Sequence, residues 1–246
     1  MNIKKSLRQG LPAALIVLSA AISICGQEQT QESQTKHNTR PTQATSSTAP
    51  ISNNSSDPVK YTYEFTQPKF YVKHIVIEHD ANGRGTITFE RLNEDVSVSD
   101  PIEFSAAALG RITAAWQGLQ FLDSTTNYQA DKQFPRLGTM RIGMQRGGRG
   151  RVAEFNWTNN KDAETLVNEY RKAADQAILI FDISIARQNQ PLNAPKLMEA
   201  MESLLNRNAL SDPRQLLPLL NELSTDERIP LIARNHALRL IKKIQK

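Results

Sequence analysis

The chain predicts an α+β fold: an antiparallel sheet built from two hairpins, two helices packed on one of its faces, and a small all-helical tail. Three features of the 246-residue sequence carry this reading. Period-two alternation runs through residues 59–104 and returns at 137–157. A stripe of helical period follows each of those blocks. Pro191 and Pro195 then set off a last stretch in which only helical spacing remains.

Taken in order, Tyr61, Tyr63 and Phe65 alternate with Thr62, Glu64 and Thr66, the pattern of a half-buried strand. Residues 70–79 carry β-branched and aromatic side chains on both faces, and a turn from Asp80 to Gly85 joins them to a strand at 86–92 in a hairpin. A further short strand is expected around 96–104. Ser105 is placed to cap a helix in which Leu109, Ile112, Trp116 and Leu119 recur at helical spacing. Beyond a polar stretch, residues 137–145 and 151–157 form a second hairpin around the loop from Arg146 to Gly150. A long helix follows from about 162 to 187, with Leu166, Tyr170, Ala174, Ala177, Phe181 and Ile185 turned inward. In the tail, Leu197, Met201, Leu204 and Leu205 pattern one helix, residues 216–223 a second and 229–244 a third.

Residues 1–58 concern location. Lys4, Lys5 and Arg8 precede an apolar run of about fourteen residues, Leu11 to Ile24, short of the roughly 20 that cross a bilayer as a helix. Residues 1–25 therefore read as an export signal. The run Ile22-Ser23-Ile24-Cys25 resembles the signal of bacterial lipoproteins, in which a cysteine following small residues is acylated; Ile24 stands where that family carries Gly, Ala or Ser. The resemblance implies a lipid on Cys25 and anchoring at a membrane of the bacterial cell envelope. Cleavage after Ser23, with Ala21 and Ser23 as the small residues, or directly after Cys25, is the other reading of the same stretch. It would leave a periplasmic or secreted protein. Residues 26–58 are mostly Gln, Thr, Ser and Asn with scattered charge, Ile51 being the only large aliphatic residue, a composition that does not offset its ordering entropy. They read as a flexible tether spanning roughly 30 Å. The α+β domain then occupies 59–190 and the helical tail 191–246.

Export changes the charge balance. Loss of Lys4, Lys5 and Arg8, with no acid among the first 25 residues, takes the formal net charge from +5 to +2. So small a charge exerts little general pull on nucleic acid, which is not expected as a partner. With Cys25 the only cysteine, no intrachain disulfide forms, and the domain is held by packing alone.

Candidate chemistry is sparse. His74 and His79 are five apart on a strand, so they point to opposite faces and do not share a metal. Asp80, Asn82 and Gly85 echo the start of a calcium loop, but Arg84 and Arg91 occupy positions that need oxygen ligands, and a hairpin turn is the better account. Glu78, His79 and Asp80 read as solvated strand-edge residues. His236, among Ala233, Ala237 and Leu240, reads as a packed histidine. Nucleophile-elbow, zinc-protease, phosphate-loop and dinucleotide motifs are all missing from the sequence. No catalytic residue, metal ligand or cofactor is assigned.

One stretch stands out: Lys132, Arg136, Arg141, Arg146, Arg149 and Arg151 fall within twenty residues that hold no acid. They form a candidate patch for a polyanion or a partner, set against the plainer reading of a solvated hairpin. In the tail, residues 212–223 with 229–241 resemble one HEAT-type helical pair, which implies protein binding; a single pair reads as a cap on the domain, because such repeats need neighbours to bury a core. The sequence thus points to an exported binding or structural module of the bacterial envelope. An extracytoplasmic hydrolase with an unrecognised site, and an inhibitor or assembly factor acting through the Arg146 to Gly150 loop or the C-terminal helices, remain as alternatives.

Overall fold

The computed structural model describes residues 57–246; the expected export signal, Cys25 and the expected tether as far as residue 56 lie outside the described residues. Alternating residues form β1 (Val59–Thr66), β2 (Val72–Asp80), β3 (Arg84–Arg91), β4 (Val98–Glu103), β5 (Thr139–Arg146) and β6 (Arg149–Phe155). They make one antiparallel sheet in the order β4-β3-β2-β1-β5-β6. The fold class is therefore α+β, as the patterning predicts. Two glycines make the β2–β3 hairpin possible. Gly83 takes φ 78 in the turn, and a Cβ on Gly85 would sit 1.8 Å from the Glu78 carbonyl oxygen. The Asp80 carboxylate closes the loop by accepting from the Asn82 and Arg84 amides, each at 2.9 Å.

The second hairpin is tighter than the sequence suggests. Its strands run on through Arg146 and Arg149, leaving a two-residue turn, Gly147-Gly148, with Gly147 at φ 56. Glycine freedom is what lets the ladder extend that far.

Helix α1 (Ala106–Leu119) begins at Ser105, whose hydroxyl accepts from the Ala108 amide. Helix α2 (Lys161–Asn189) begins at Asn160, whose side chain accepts from the Ala163 amide. The two lie antiparallel on one face of the sheet. Arg111 meets Glu169 at 2.8 Å, and seven residues further along α1 a Cβ on Gly118 would sit 2.6 Å from the Asp162 carboxylate. Ala108, Ala115, Ala163 and Ala173 are buried between them, and such small residues permit the close approach. Beneath sit Tyr61, Tyr63, Phe65, Ile75, Ile77, Ile87, Phe89, Met140 and Ile142, the inward sets of four strands.

Helix α2 serves two cores. Its first half packs on the sheet, while Leu179 and Ile183 belong to a second cluster with α3 (Ala194–Asn206), α4 (Leu217–Thr225) and α5 (Leu231–Ile244). This explains one misplaced residue. Ile185, expected inward, is exposed, because past Ile178 the buried stripe rotates to Leu179, Ile183 and Ala186 to meet the tail instead of the sheet. Arg187 then reaches Asp226 at 2.7 Å and Glu222 at 2.6 Å, fastening α2 to the end of α4.

Candidate ligand-binding cavity

A buried polar lock sets the position of α2. Tyr170 stacks on Tyr63 at 5.0 Å, and its hydroxyl lies 3.1 Å from Trp116 Nε1 and 2.7 Å from His79 Nε2. Indole only donates, so Trp116 gives its proton to the Tyr170 oxygen, Tyr170 gives its own to His79 Nε2, and His79 Nδ1–H donates to the Asp80 carbonyl at 2.8 Å. Every group in the chain is satisfied with a neutral imidazole. Burial pushes the His79 pKa down, against the opposing pull of the Asp80 carbonyl, and burial also raises the Tyr170 phenol. His79 is thus a core residue, 3% exposed, and not the solvated edge residue the sequence suggests; its partner Tyr170 lies 91 positions away.

With Tyr170 fixed, the next residue, Arg171, faces a cavity. Eight-residue strands run roughly 27 Å, whereas two helices side by side cover roughly 20 Å. The uncovered strip, where β1 runs out, is a cavity of about 730 Å³ between α2 and the ends of β1, β2, β5 and β6. Phe65, Ile75, Met140 and Phe155 give apolar surface from the sheet, and Val167 and Ala174 line it from α2. At the rim, Tyr71 and Trp157 are 63% and 42% exposed. The flanking segment is held rigidly. Buried Gln67 donates to the carbonyls of Pro135 and Arg136 at 3.2 and 2.9 Å, and Gly138, at φ 92, lets the backbone pass where a Cβ would lie 2.6 Å from the Phe65 ring.

The polar groups in this cavity are few. Arg171 lies over the Phe65 ring at 5.7 Å and donates to Met140 Sδ at 3.4 Å, and among the described residues it makes no ion pair. Tyr63, also lining the cavity, has a fully buried hydroxyl with no hydrogen bond of good geometry, Arg171 being close enough to act on it but not well aligned; burial pushes its pKa up to about 12, with the Arg171 charge and weak hydrogen bond pulling the other way. Asp175 is open to solvent on one side but crowded by protein on the others, which raises its pKa against the pull of Arg171 and Arg207. Apolar walls with a few convergent polar groups, at this volume, match a small-molecule site. Its side-chain hydroxyls belong to Tyr63, Tyr71 and Thr158, and its lining contains no histidine, serine or cysteine. The arrangement is equipped to hold a ligand.

The predicted basic stretch is divided by the sheet. The β5–β6 register puts Arg146, Arg149 and Arg151 on the helix-bearing side and Arg141 on the opposite one. Arg149 donates to Asp123 at 2.6 Å and to the Leu122 carbonyl at 2.8 Å; Arg151 donates to the carbonyls of Phe121 and Thr126 and lies over the Phe121 ring at 4.7 Å. These two fasten the segment after α1 to the hairpin. Lys132 lies over Phe134, while Arg136 sits in the short 3-10 turn before β5. Tyr61, Tyr63 and Phe65 are buried against the helices and are not available to stack beside these cations.

The remaining histidines sit as their spacing predicts. His74 is on the helix-free face, 3.0 Å from Glu64 and 3.5 Å from Glu90, with Arg141 completing a charge ladder across four strands at 3.4 Å from Glu64. His236 is buried, 2.9 Å from Glu202 of α3. Among the described residues, no group of three His, Cys, Asp or Glu is placed to hold a metal ion, and no helix is long and apolar enough to cross a membrane. Arg91, a mismatch in the calcium-loop comparison, proves to be a buried cation paired with Asp182 and flanked by Tyr71, Phe89 and Phe181. A scan against protein-family models and a search of curated proteins both return no match, so function rests on the geometry of the site.

Proposed function

We propose that this chain is an exported binding module of the bacterial cell envelope, carried on a tether from an acylated Cys25, and that its ligand occupies the cavity between α2 and the sheet. One observation carries the binding assignment: an apolar cavity of ligand size lined by Tyr63, whose buried hydroxyl lacks a well-formed hydrogen bond, and by Arg171, which has no carboxylate within ion-pair distance. An unpaired buried polar group costs stability, and a ligand that shifts the floor to reach it would recover that loss. The hydrolase alternative is weakened by the same lining and by the engagement of His74, His79 and His236 elsewhere.

The test is uptake of the neutral apolar dye Nile red by the purified protein. Saturable enhancement at one dye per chain is expected, and it should vanish in Asn168→Trp, which sets a large ring at an exposed lining position. Absence of uptake would sink the assignment. Intact mass and membrane fractionation beside a Cys25→Ala variant test the anchor: an acyl increment and membrane partitioning, both lost on substitution, are expected. A second reading, docking of a protein through the tail, is favoured by Leu231 and Ile232, which are 62% and 67% exposed on α5. Crosslinking in intact cells, compared with an Ile232→Glu variant, tests it.

A further inference from the structure

We infer that the cavity selects an amphiphile with one aliphatic chain and one anionic head, the head held at Arg171 and the chain lying along Phe65, Met140 and Val167. The inference rests on the binding-module reading and specifies its ligand. It is carried by the placement of charge. The Arg171 guanidinium lies against an aromatic ring and a thioether, with no carboxylate within ion-pair distance, so its donors are only partly used. A guanidinium fork is matched geometrically by a carboxylate or phosphate head.

The acids around the cavity do not cancel it. Asp175, one turn further along α2, is already flanked by both Arg171 and Arg207, and Lys69 adds a third cation to the surroundings of the cavity. Glu164 lies seven residues before Arg171, roughly 10 Å away along the helix. Arg171 and Arg207 thus outnumber Asp175 at one end of this stretch of α2, and Glu164 stands at the other. A cationic head would be repelled at Arg171, and an uncharged one would leave Arg171 unused. The sheet residues Phe65, Ile75 and Met140, with Phe155 beyond, give a continuous apolar track on which an extended chain loses water.

The experiment is displacement of Nile red by decanoate, decyl phosphate, decanol and decyltrimethylammonium, each below its micelle-forming concentration. The expected result is that at least one anion binds about tenfold or more tightly than decanol, with the cation weakest, the margin reflecting charge-assisted hydrogen bonds. Arg171→Gln should erase the margin by weakening the anions far more than decanol; Arg171 is exposed, so its circular dichroism should match the parent. Stronger binding of decanoate would identify free fatty acids as the source, and stronger binding of decyl phosphate a phosphorylated lipid. Equal binding of decanol and the anions, a preference for the cation, or an Arg171→Gln variant that keeps the margin would each overturn the anionic class while leaving the cavity assignment standing. No displacement by any of the four, with Nile red uptake also missing, would overturn both.

Discussion

Tyr170→Phe removes one oxygen from the centre of the molecule and leaves the ring stack on Tyr63 in place. Two groups lose their partner at once: the Trp116 indole N–H and the His79 Nε2 lone pair, both buried. Each orphaned group costs about 1–3 kcal/mol, so the variant should lose about 2–6 kcal/mol, a large share of the about 5–15 kcal/mol that holds an ordinary domain. Urea unfolding followed by tryptophan fluorescence reads this directly. The midpoint should fall by about 1 M or more at unchanged slope. Nile red uptake at low denaturant should survive, since the hydroxyl lies outside the cavity, whereas Arg171→Gln should leave the midpoint near that of the parent and lose only the preference for an anionic head. A Tyr170→Phe midpoint within about 0.2 M of the parent, hence under about 0.5 kcal/mol, would refute the donor order assigned to the Trp116–Tyr170–His79 chain.

Other outcomes follow from individual contacts. Gly85→Ala forces a Cβ against the Glu78 carbonyl oxygen and should cost about 1–3 kcal/mol by urea unfolding, while Gly110→Ala, in open space on α1, should gain about 0.5–1 kcal/mol. His79 holds a depressed pKa in the folded protein, so the unfolded chain takes up a proton that the native state refuses. Stability should therefore fall as pH drops below about 6.5, and His79→Gln should flatten that slope in urea midpoints measured between about pH 5 and 7.5. The Asp226 carboxyl is held well below the usual range by Arg228 first and Arg187 second. Its contribution is present above about pH 3.9 and lost in stronger acid, so parent and Asp226→Asn melting temperatures should differ at neutral pH and converge as the acid is strengthened.

Much of the fold was legible because its signals are local. The alternation of Tyr61, Tyr63 and Phe65, the Asn82-Gly83 turn, the Ser105 cap and the stripe through Ile112 and Trp116 all sit within a few residues of what they determine. The cavity was not legible, for the converse reason. Phe65, Tyr71, Met140, Trp157 and Arg171 each read as ordinary core or surface, and only the limited width of two helices over a longer sheet turns them into a site. A faint signal existed in Phe70-Tyr71 and Trp157, large aromatics just outside the alternating strands. The basic stretch shows a different limit: its cations are contiguous in sequence, while strand period and hairpin geometry send Arg141 to one face and Arg146, Arg149 and Arg151 to the other. Buried polar residues are the hardest to place: His79 reads as a solvated edge residue and nothing near Arg91 signals its burial, because Tyr170 and Asp182, which satisfy them, lie 91 positions away in each case.

The 29-residue α2 works as a splice between two hydrophobic cores, glued to the sheet along its first half and to the tail along its second. A splice transmits load. Whatever pins Val167 and Arg171 from the cavity side also steadies the rod on which Leu179 and Ile183 are seated, so occupancy should slow amide exchange in α3 through α5, where no ligand reaches. The proline break at 191 divides the chain by composition, yet it is no seam along which the molecule can part, because the two hydrophobic cores are threaded on a single unbroken helix.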